Sequence, residues 1–268
     1  MPTTSSARSW LSSCFCASLL LAAPAFPAHA SLISQWQAEG DATDSAGGGN
    51  NGTAFGTLTY GPGVFGSAFV LNGSSGITIT KQANLNMLGG DFTVSGWVKT
   101  AATYSNIGTI FLNYAGLDTY FTNINSAGTA EFSIRDSSGN AIDLLGTTSL
   151  TDGIWHNVVG VRSGQTGLLY VDGSLQASTT NNALGSINTT CTYALIGYSN
   201  TGPGNCTSSG PGDSTSFFNG SIDDVRIYNN ALSAAEIEAL TSVPEPLPIA
   251  TLAVWLAAFA WIKRRSRV

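Results

Sequence analysis

The feature that most constrains this chain is a repeated alternation of short β-branched and aromatic runs with clusters of Gly, Asn, Ser and Asp. The runs are Ala68 to Leu71, Ile77 to Thr80, Phe92 to Lys99, Thr109 to Tyr114, Ala130 to Arg135, Ile154 to Arg162, Leu168 to Val171, Tyr193 to Tyr198 and Ser221 to Tyr228. Runs of about four to eight residues between turn signals specify an antiparallel sandwich or barrel, so the predicted fold class is all-β with little helix. In Phe92 to Lys99, alternation puts Phe92, Val94, Gly96 and Val98 on a core face and Thr93, Ser95, Trp97 and Lys99 on the other. Leu168 to Val171, Asp172-Gly173 and Ser174 to Ala177 read as a hairpin, because Asp-Gly suits a type I′ turn. One helix is marked by its start: Ser233 and Glu236 form a capping box, with Leu232 and Ile237 in the hydrophobic-staple positions.

Both ends read as addresses rather than core. Arg8, an apolar run from Trp10 to Ala23, and Ala28-His29-Ala30 before Ser31 predict a signal peptide over 1–30. At the other end Pro244-Glu245-Pro246 precedes an apolar stretch, Leu247 to Ile262, and a basic tail from Lys263 to Val268. As a helix, 247–262 would span about 24 Å, and Trp261 with snorkelling Lys and Arg can cover the shortfall against a ~30 Å hydrocarbon core. Basic residues stay cytoplasmic, which places the domain outside, in agreement with the signal peptide.

Between these ends, 31–242 reads as one domain. Setting aside Arg8, Lys263, Arg264, Arg265, Arg267 and Glu245 leaves 5 basic and 15 acidic residues, a net charge near −10. Such a domain repels phosphate backbones, which excludes nucleic acid as a partner, and favours a divalent cation. His156 is its only histidine, so multi-histidine zinc motifs are excluded, and a lone strand His with no acid or nucleophile nearby in sequence reads as structural. No G-x-S-x-G elbow is present. Cys191 and Cys206 are the only cysteines of the mature domain; an exported pair is expected to form a disulfide, with two free thiols or an intermolecular bridge as the alternative.

The C-terminal arrangement resembles the PEP-CTERM sorting signal: the motif Pro244, Glu245, Pro246, one transmembrane helix and an Arg-rich end. The resemblance implies processing by an exosortase, in a Gram-negative bacterium that makes exopolysaccharide; a plain single-span anchor is the alternative. The domain itself resembles the laminin G-like jellyroll of the concanavalin A-like lectin/glucanase fold. The resemblance is carried by Gly40 to Gly47, Phe92 to Lys99, Trp155 to Val159 with Leu169 to Gly173, and above all by Phe218 to Ser233. It implies a two-sheet jellyroll sandwich, but not a function, since this fold hosts lectins, adhesion modules and glycosidases.

Asp41, Asp44 and the Asn50 to Thr53 turn offer the hard oxygens that calcium requires. The resemblance implies a structural calcium shared with an Asp of the closing strand, giving an expected set of Asp41, Asp44, Asn51, Thr53 and Asp223, with Asp224 the alternative to Asp223. The competing expectation is Asx turns and pairing with Arg226. The domain lacks the E-x-D-x-E strand motif that the fold's glucanases share, and Glu131 and Asp136 fall on opposite faces of their strand, so no catalytic carboxylate pair is read. Tyr104, Tyr114, Tyr120 and Tyr198 could stack on sugar rings or be buried. The expectation is an exported, non-catalytic protein of the cell envelope or exterior, transiently held in the inner membrane. It would bind extracellular glycans or surface proteins, or serve as a purely structural matrix component; a glycan-active enzyme is the remote alternative.

Overall fold

The computed structural model describes residues 31–100, 107–199 and 216–242. Numbered in chain order, one sheet contains β1 (Leu32–Trp36), β3 (Thr59–Pro62), β4 (Ser67–Asn72), β6 (Phe92–Thr100), β11 (His156–Ser163), β12 (Thr166–Val171), β13 (Ser174–Thr180) and β17 (Asn219–Tyr228). The other contains β2 (Gly52–Phe55), β5 (Gly76–Thr80), β7 (Gly108–Ala115), β8 (Asp118–Ile124), β9 (Thr129–Arg135), β10 (Ala141–Ser149) and β14 (Tyr193–Ile196). A two-stranded ribbon, β15 (Tyr198–Ser199) and β16 (Ser216–Phe217), and one helix, α1 (Ala234–Thr241), complete the described elements with a 3-10 turn at Ala83–Leu85.

The eight-stranded sheet runs β13-β12-β11-β6-β17-β4-β3, with β1 also on β17; the seven-stranded sheet runs β10-β9-β8-β7-β14-β5-β2, and every paired strand is antiparallel. Alternation explains the packing: Phe92, Val94 and Val98 from one sheet meet Phe111, Tyr120 and Phe132 from the other in a continuous core. Gly160 permits a close approach of the two sheets, since a Cβ there would lie 2.3 Å from the Phe132 ring. Each fully buried Phe or Leu contributes about 1.5–3 kcal/mol through the water it leaves.

The expected hairpin and helix are present as read. Val171 pairs with Ser174, and Asp172 and Gly173 hold φ of 50° and 77°, as a type I′ turn requires. Glu236 N donates to Ser233 Oγ (3.3 Å) and Ser233 N to Glu236 Oε2 (2.8 Å), while Leu232 and Ile237 share an apolar cluster over the eight-stranded sheet. Strict alternation does not hold along β17. Ile222, Val225 and Ile227 all enter the core, which strict alternation forbids. A register shift between Asp223 and Arg226, with Asp224 at φ 49°, is the bulge that resets the faces and turns both Asp side chains outward.

Among the described residues no helix is long and apolar enough to cross a membrane, and the expected span at 247–262 lies outside them, as do the signal peptide, the Pro244 to Pro246 motif, Tyr104 and Cys206.

Candidate functional site

The outer faces of the two sheets differ in what covers them. Over the eight-stranded sheet, α1 lays Ile237 on Val159, Val161, Tyr170 and Tyr228. Farther along, Phe65 packs edge-on against Trp97 at 6.4 Å, and the Arg226 guanidinium lies 5.9 Å from the Phe65 ring centre. Arg226 in turn grips Asp224 with two bonds (Nη2 to Oδ2 2.7 Å, Nε to Oδ1 3.0 Å), and Gln35 Nε2 adds a third at 2.6 Å.

The seven-stranded sheet keeps an open groove of about 380 Å³ across β7, β8, β9 and β10. Alternation sets its walls. Phe132 and Ile134 point into the core, so Glu131, Ser133 and Arg135 point out; Ile142 and Leu144 point in, so Asp143 points out. Tyr114 and Phe121, half-buried, pack on Leu112 and form the aromatic side of the groove. The β9–β10 register sets Asp143 opposite Ser133, diagonal to Glu131. Ser133 Oγ donates to Asp143, and Arg135 Nη2 lies 3.7 Å from Asp143 Oδ2. Burial first, and the charge of Asp143 second, raise the Glu131 carboxyl above its ordinary value, against a hydrogen bond from Asn123. An aromatic wall facing carboxylates, a hydroxyl and a guanidinium can stack on the apolar face of a ring and hydrogen-bond its hydroxyls.

The expected calcium ligands are not drawn into one cage. Asp44 Oδ1 accepts from Gln35 N (3.0 Å) and Ala46 N (3.1 Å), and Oδ2 from Asn50 N and Ser34 Oγ (both 3.1 Å). Asn51 Oδ1 accepts from Asp44 N at 3.0 Å. Asp41 caps its own turn through Thr43 Oγ1 (2.6 Å) and Thr43 N (2.8 Å), which lower its pKa. Thr53 lies on the outer edge of the other sheet beside Phe55 and Thr78. Asp223 Oδ2 accepts from Val64 N (2.8 Å) and Phe65 N (2.9 Å), an approach that requires Gly63, whose Cβ would sit 2.5 Å from that oxygen. Only Asp223 Oδ1 is buried without a partner among these carboxylates, and burial pushes the Asp223 pKa up to about 6. Calcium takes six to eight oxygens, and among the described residues no three His, Cys, Asp or Glu side chains gather to hold a metal. The expected set does not fit calcium; Asx turns and the Arg226 pair account for Asp41 and Asp224.

His156 has the acid neighbours that its own strand sequence lacks. Nδ1 lies 2.7 Å from Asp172 Oδ2 and Nε2 3.1 Å from Asp152 Oδ1. Burial works to lower the His156 pKa, and the two carboxylates outweigh it and raise it. Asp172 also accepts from Asn157 N (2.8 Å), so the clamp ties β11 to its hairpin turn. Of the three of these tyrosines among the described residues, Tyr120 and Tyr198 are fully buried and Tyr114 reaches the groove. Cys191 is disulfide-bonded.

Two antiparallel sheets packed face to face, one partly covered by α1 with a cavity of about 550 Å³ left between α1 and β11–β12, the other bearing an open aromatic and polar groove, define a lectin-type sandwich. Residues 71–238 match the laminin G model described as the concanavalin A-like lectin/glucanases superfamily, and the chain belongs to that family. No curated protein matches the chain. Among solved structures, the binding domain of Paraclostridial Mosquitocidal Protein 1 is similar at 17% identity and TM-score 0.64, over 79% of this chain and 52% of that one. Domain 4 of AbnA, a GH43 extracellular arabinanase from Geobacillus stearothermophilus, in complex with arabinotriose, is similar at 23% identity and TM-score 0.61, over 80% of this chain and 100% of that one. The binding domain of Botulinum Neurotoxin DC, in complex with SialylT, is similar at 17% identity and TM-score 0.62, over 79% and 51%. The chain thus spans about half the length of the toxin binding domains it matches.

Proposed function

We propose that this protein is an exported, non-catalytic glycan-binding module whose ligand lies in the groove of the seven-stranded sheet. The observation that carries the reading is the juxtaposition of Tyr114 and Phe121 with Glu131, Ser133, Arg135 and Asp143 on one open face. Its setting fits: the structurally similar chains include one solved with arabinotriose and one with a sialylated ligand, and these are mostly binding domains. The signal-like N-terminus and the Pro244-Glu245-Pro246 tail support export to the envelope or exterior, transient anchoring in the inner membrane and processing by an exosortase. A disulfide between Cys191 and Cys206 belongs to the same reading, because an oxidising compartment permits it.

Two measurements test this. A glycan array probed with the full-length chain should show saturable binding that Tyr114→Ala weakens about tenfold, the equivalent of one stacking contact; a blank array leaves the purely structural matrix role. Intact mass of the protein from its native host should end near the Pro-Glu-Pro motif. A full-length C-terminus held in the inner membrane would overturn the sorting half of the proposal.

A further inference from the structure

Within the groove the two carboxylates are not equivalent. Asp143 has its own cation and hydroxyl, Arg135 and Ser133, on the same sheet. Glu131 has neither: among the described residues no cation pairs with it, and its contacts are a hydrogen bond from Asn123 and repulsion from Asp143. A half-buried carboxylate left without a counter-charge is an unfavourable arrangement unless something cationic completes it. Tyr114 and Phe121 stand at the same groove, and an aromatic face attracts a cation as well as a sugar ring. The domain carries about ten more negative than positive charges, so its field draws cations toward this face and turns anionic glycans away.

Resting on the glycan-binding reading above, we infer that the groove selects an amine-bearing sugar, a hexosamine with its amino group free and protonated, with that ammonium against Glu131 and the ring over Tyr114 and Phe121. Arg135 and Asp143 then serve the hydroxyls as donor and acceptor. An N-acetylated sugar fills the same volume but brings no charge, and a uronic or sialic acid meets Glu131 with a like charge.

The probe is a fully deacetylated chitosan hexasaccharide, titrated calorimetrically into the full-length chain beside its N-acetylated counterpart, a neutral β-glucan hexasaccharide and an oligogalacturonate. The expected order is the amine form about tenfold or more tighter than the neutral two, with the uronate unbound, and Glu131→Gln erasing the amine preference by the same factor. Because protonating Glu131 removes the counter-charge, amine binding also weakens as pH falls through its raised pKa. Glu131→Gln is close to isosteric on a half-exposed strand position, and an unchanged melting temperature checks its fold; Phe121→Leu supplies a second variant that should weaken all neutral and amine sugars together. Equal binding of amine and neutral sugars, insensitive to Glu131→Gln, overturns this inference and leaves the glycan reading standing. Amine binding that Glu131→Gln leaves intact and salt abolishes is non-specific attraction to an acidic protein, and also overturns it. No binding of any oligosaccharide overturns both.

Discussion

The two outer faces of the sandwich obey the same alternation and end differently. On the eight-stranded sheet the outward side chains of β6, Thr93, Ser95 and Trp97, are buried as fully as the inward ones, because α1, the closing turn and the Phe65 loop lie over them. Polar groups on this face find protein partners: Thr93 Oγ1 donates to Asn230 O at 2.9 Å, and Asp224 is held by Arg226. On the seven-stranded sheet Glu131, Arg135 and Asp143 stay accessible, and among the described residues Glu131 has no counter-charge. A covered face is completed by its own chain. An open one is what the proposed ligand would complete.

The comparison can be broken by mutation. Trp97→Ala should cost about 3–4 kcal/mol in urea unfolding, the cost of a cavity under a covered face, and leave glycan affinity of the folded fraction unchanged. Asp44→Ala should cost about 3 kcal/mol, because three backbone N–H groups and the Ser34 hydroxyl lose their acceptor. Phe121→Ala should reverse the pattern, with under about 1.5 kcal/mol of stability lost from a half-exposed site and sugar binding down about tenfold.

Titration sharpens the comparison further. Asp223 and Asn157 are exceptions on this sheet, each with one buried oxygen unpartnered, and the folded Asp223 pKa is raised from 3.8 to about 6. The folded state therefore holds that proton more tightly than the unfolded one, and the associated stability, on the order of 1 kcal/mol after screening, is complete below pH 3.8 and lost as pH rises through about 6. A carboxyl-carbon NMR titration should give the same midpoint, and adding calcium should leave it unmoved; a large drop would restore the metal. The smallest effect belongs to the His156 clamp. His156 is raised, so its few tenths of a kcal/mol are present below about pH 6.5 and fade as pH rises through the folded value. Asp152 is lowered, chiefly by the Ile154 N–H, so its share is present above 3.8 and fades as pH falls through its folded value. Comparing His156→Asn with the parent across pH isolates the first.

What sequence carried was local. Every β-branched run contains a strand, although Ile154 and Trp155 precede β11 and Gly197 divides Tyr193 to Tyr198 between β14 and β15, and the capping box and Asp-Gly turn stand where their chemistry put them. The strands that went unread are the polar or irregular ones. β10, Ala-Ile-Asp-Leu-Leu-Gly-Thr-Thr-Ser, looks like loop until Ile142 and Leu144 are seen to share the core. That omission hid the groove, because Asp143 reaches the neighbourhood of Glu131 only through the β9–β10 register, and pairing partners are not written in either strand. Asp136, the acid that follows Glu131 along the chain, is instead buried in its own turn, accepting from Ser138 N and Asn140 N, both at 2.9 Å. Asp172 likewise reaches His156 because β11 and β12 pair, Val158 opposite Val171. The faces of Asp223 and Asp224 were unreadable for a different reason: a bulge breaks the period on which such readings rest.

The position of β17 has a consequence for the order of events in the molecule's life. This strand, the last of the sandwich, lies between β6 on one side and β4 and β1 on the other. A ribosome that has made residues 31–218 has therefore made the two halves of a sheet with a gap at its centre, and β1 has no strand to lie on. The domain cannot close progressively as it emerges; it waits for its C-terminal strand and then forms as a whole, at the slow rate expected of distant pairings.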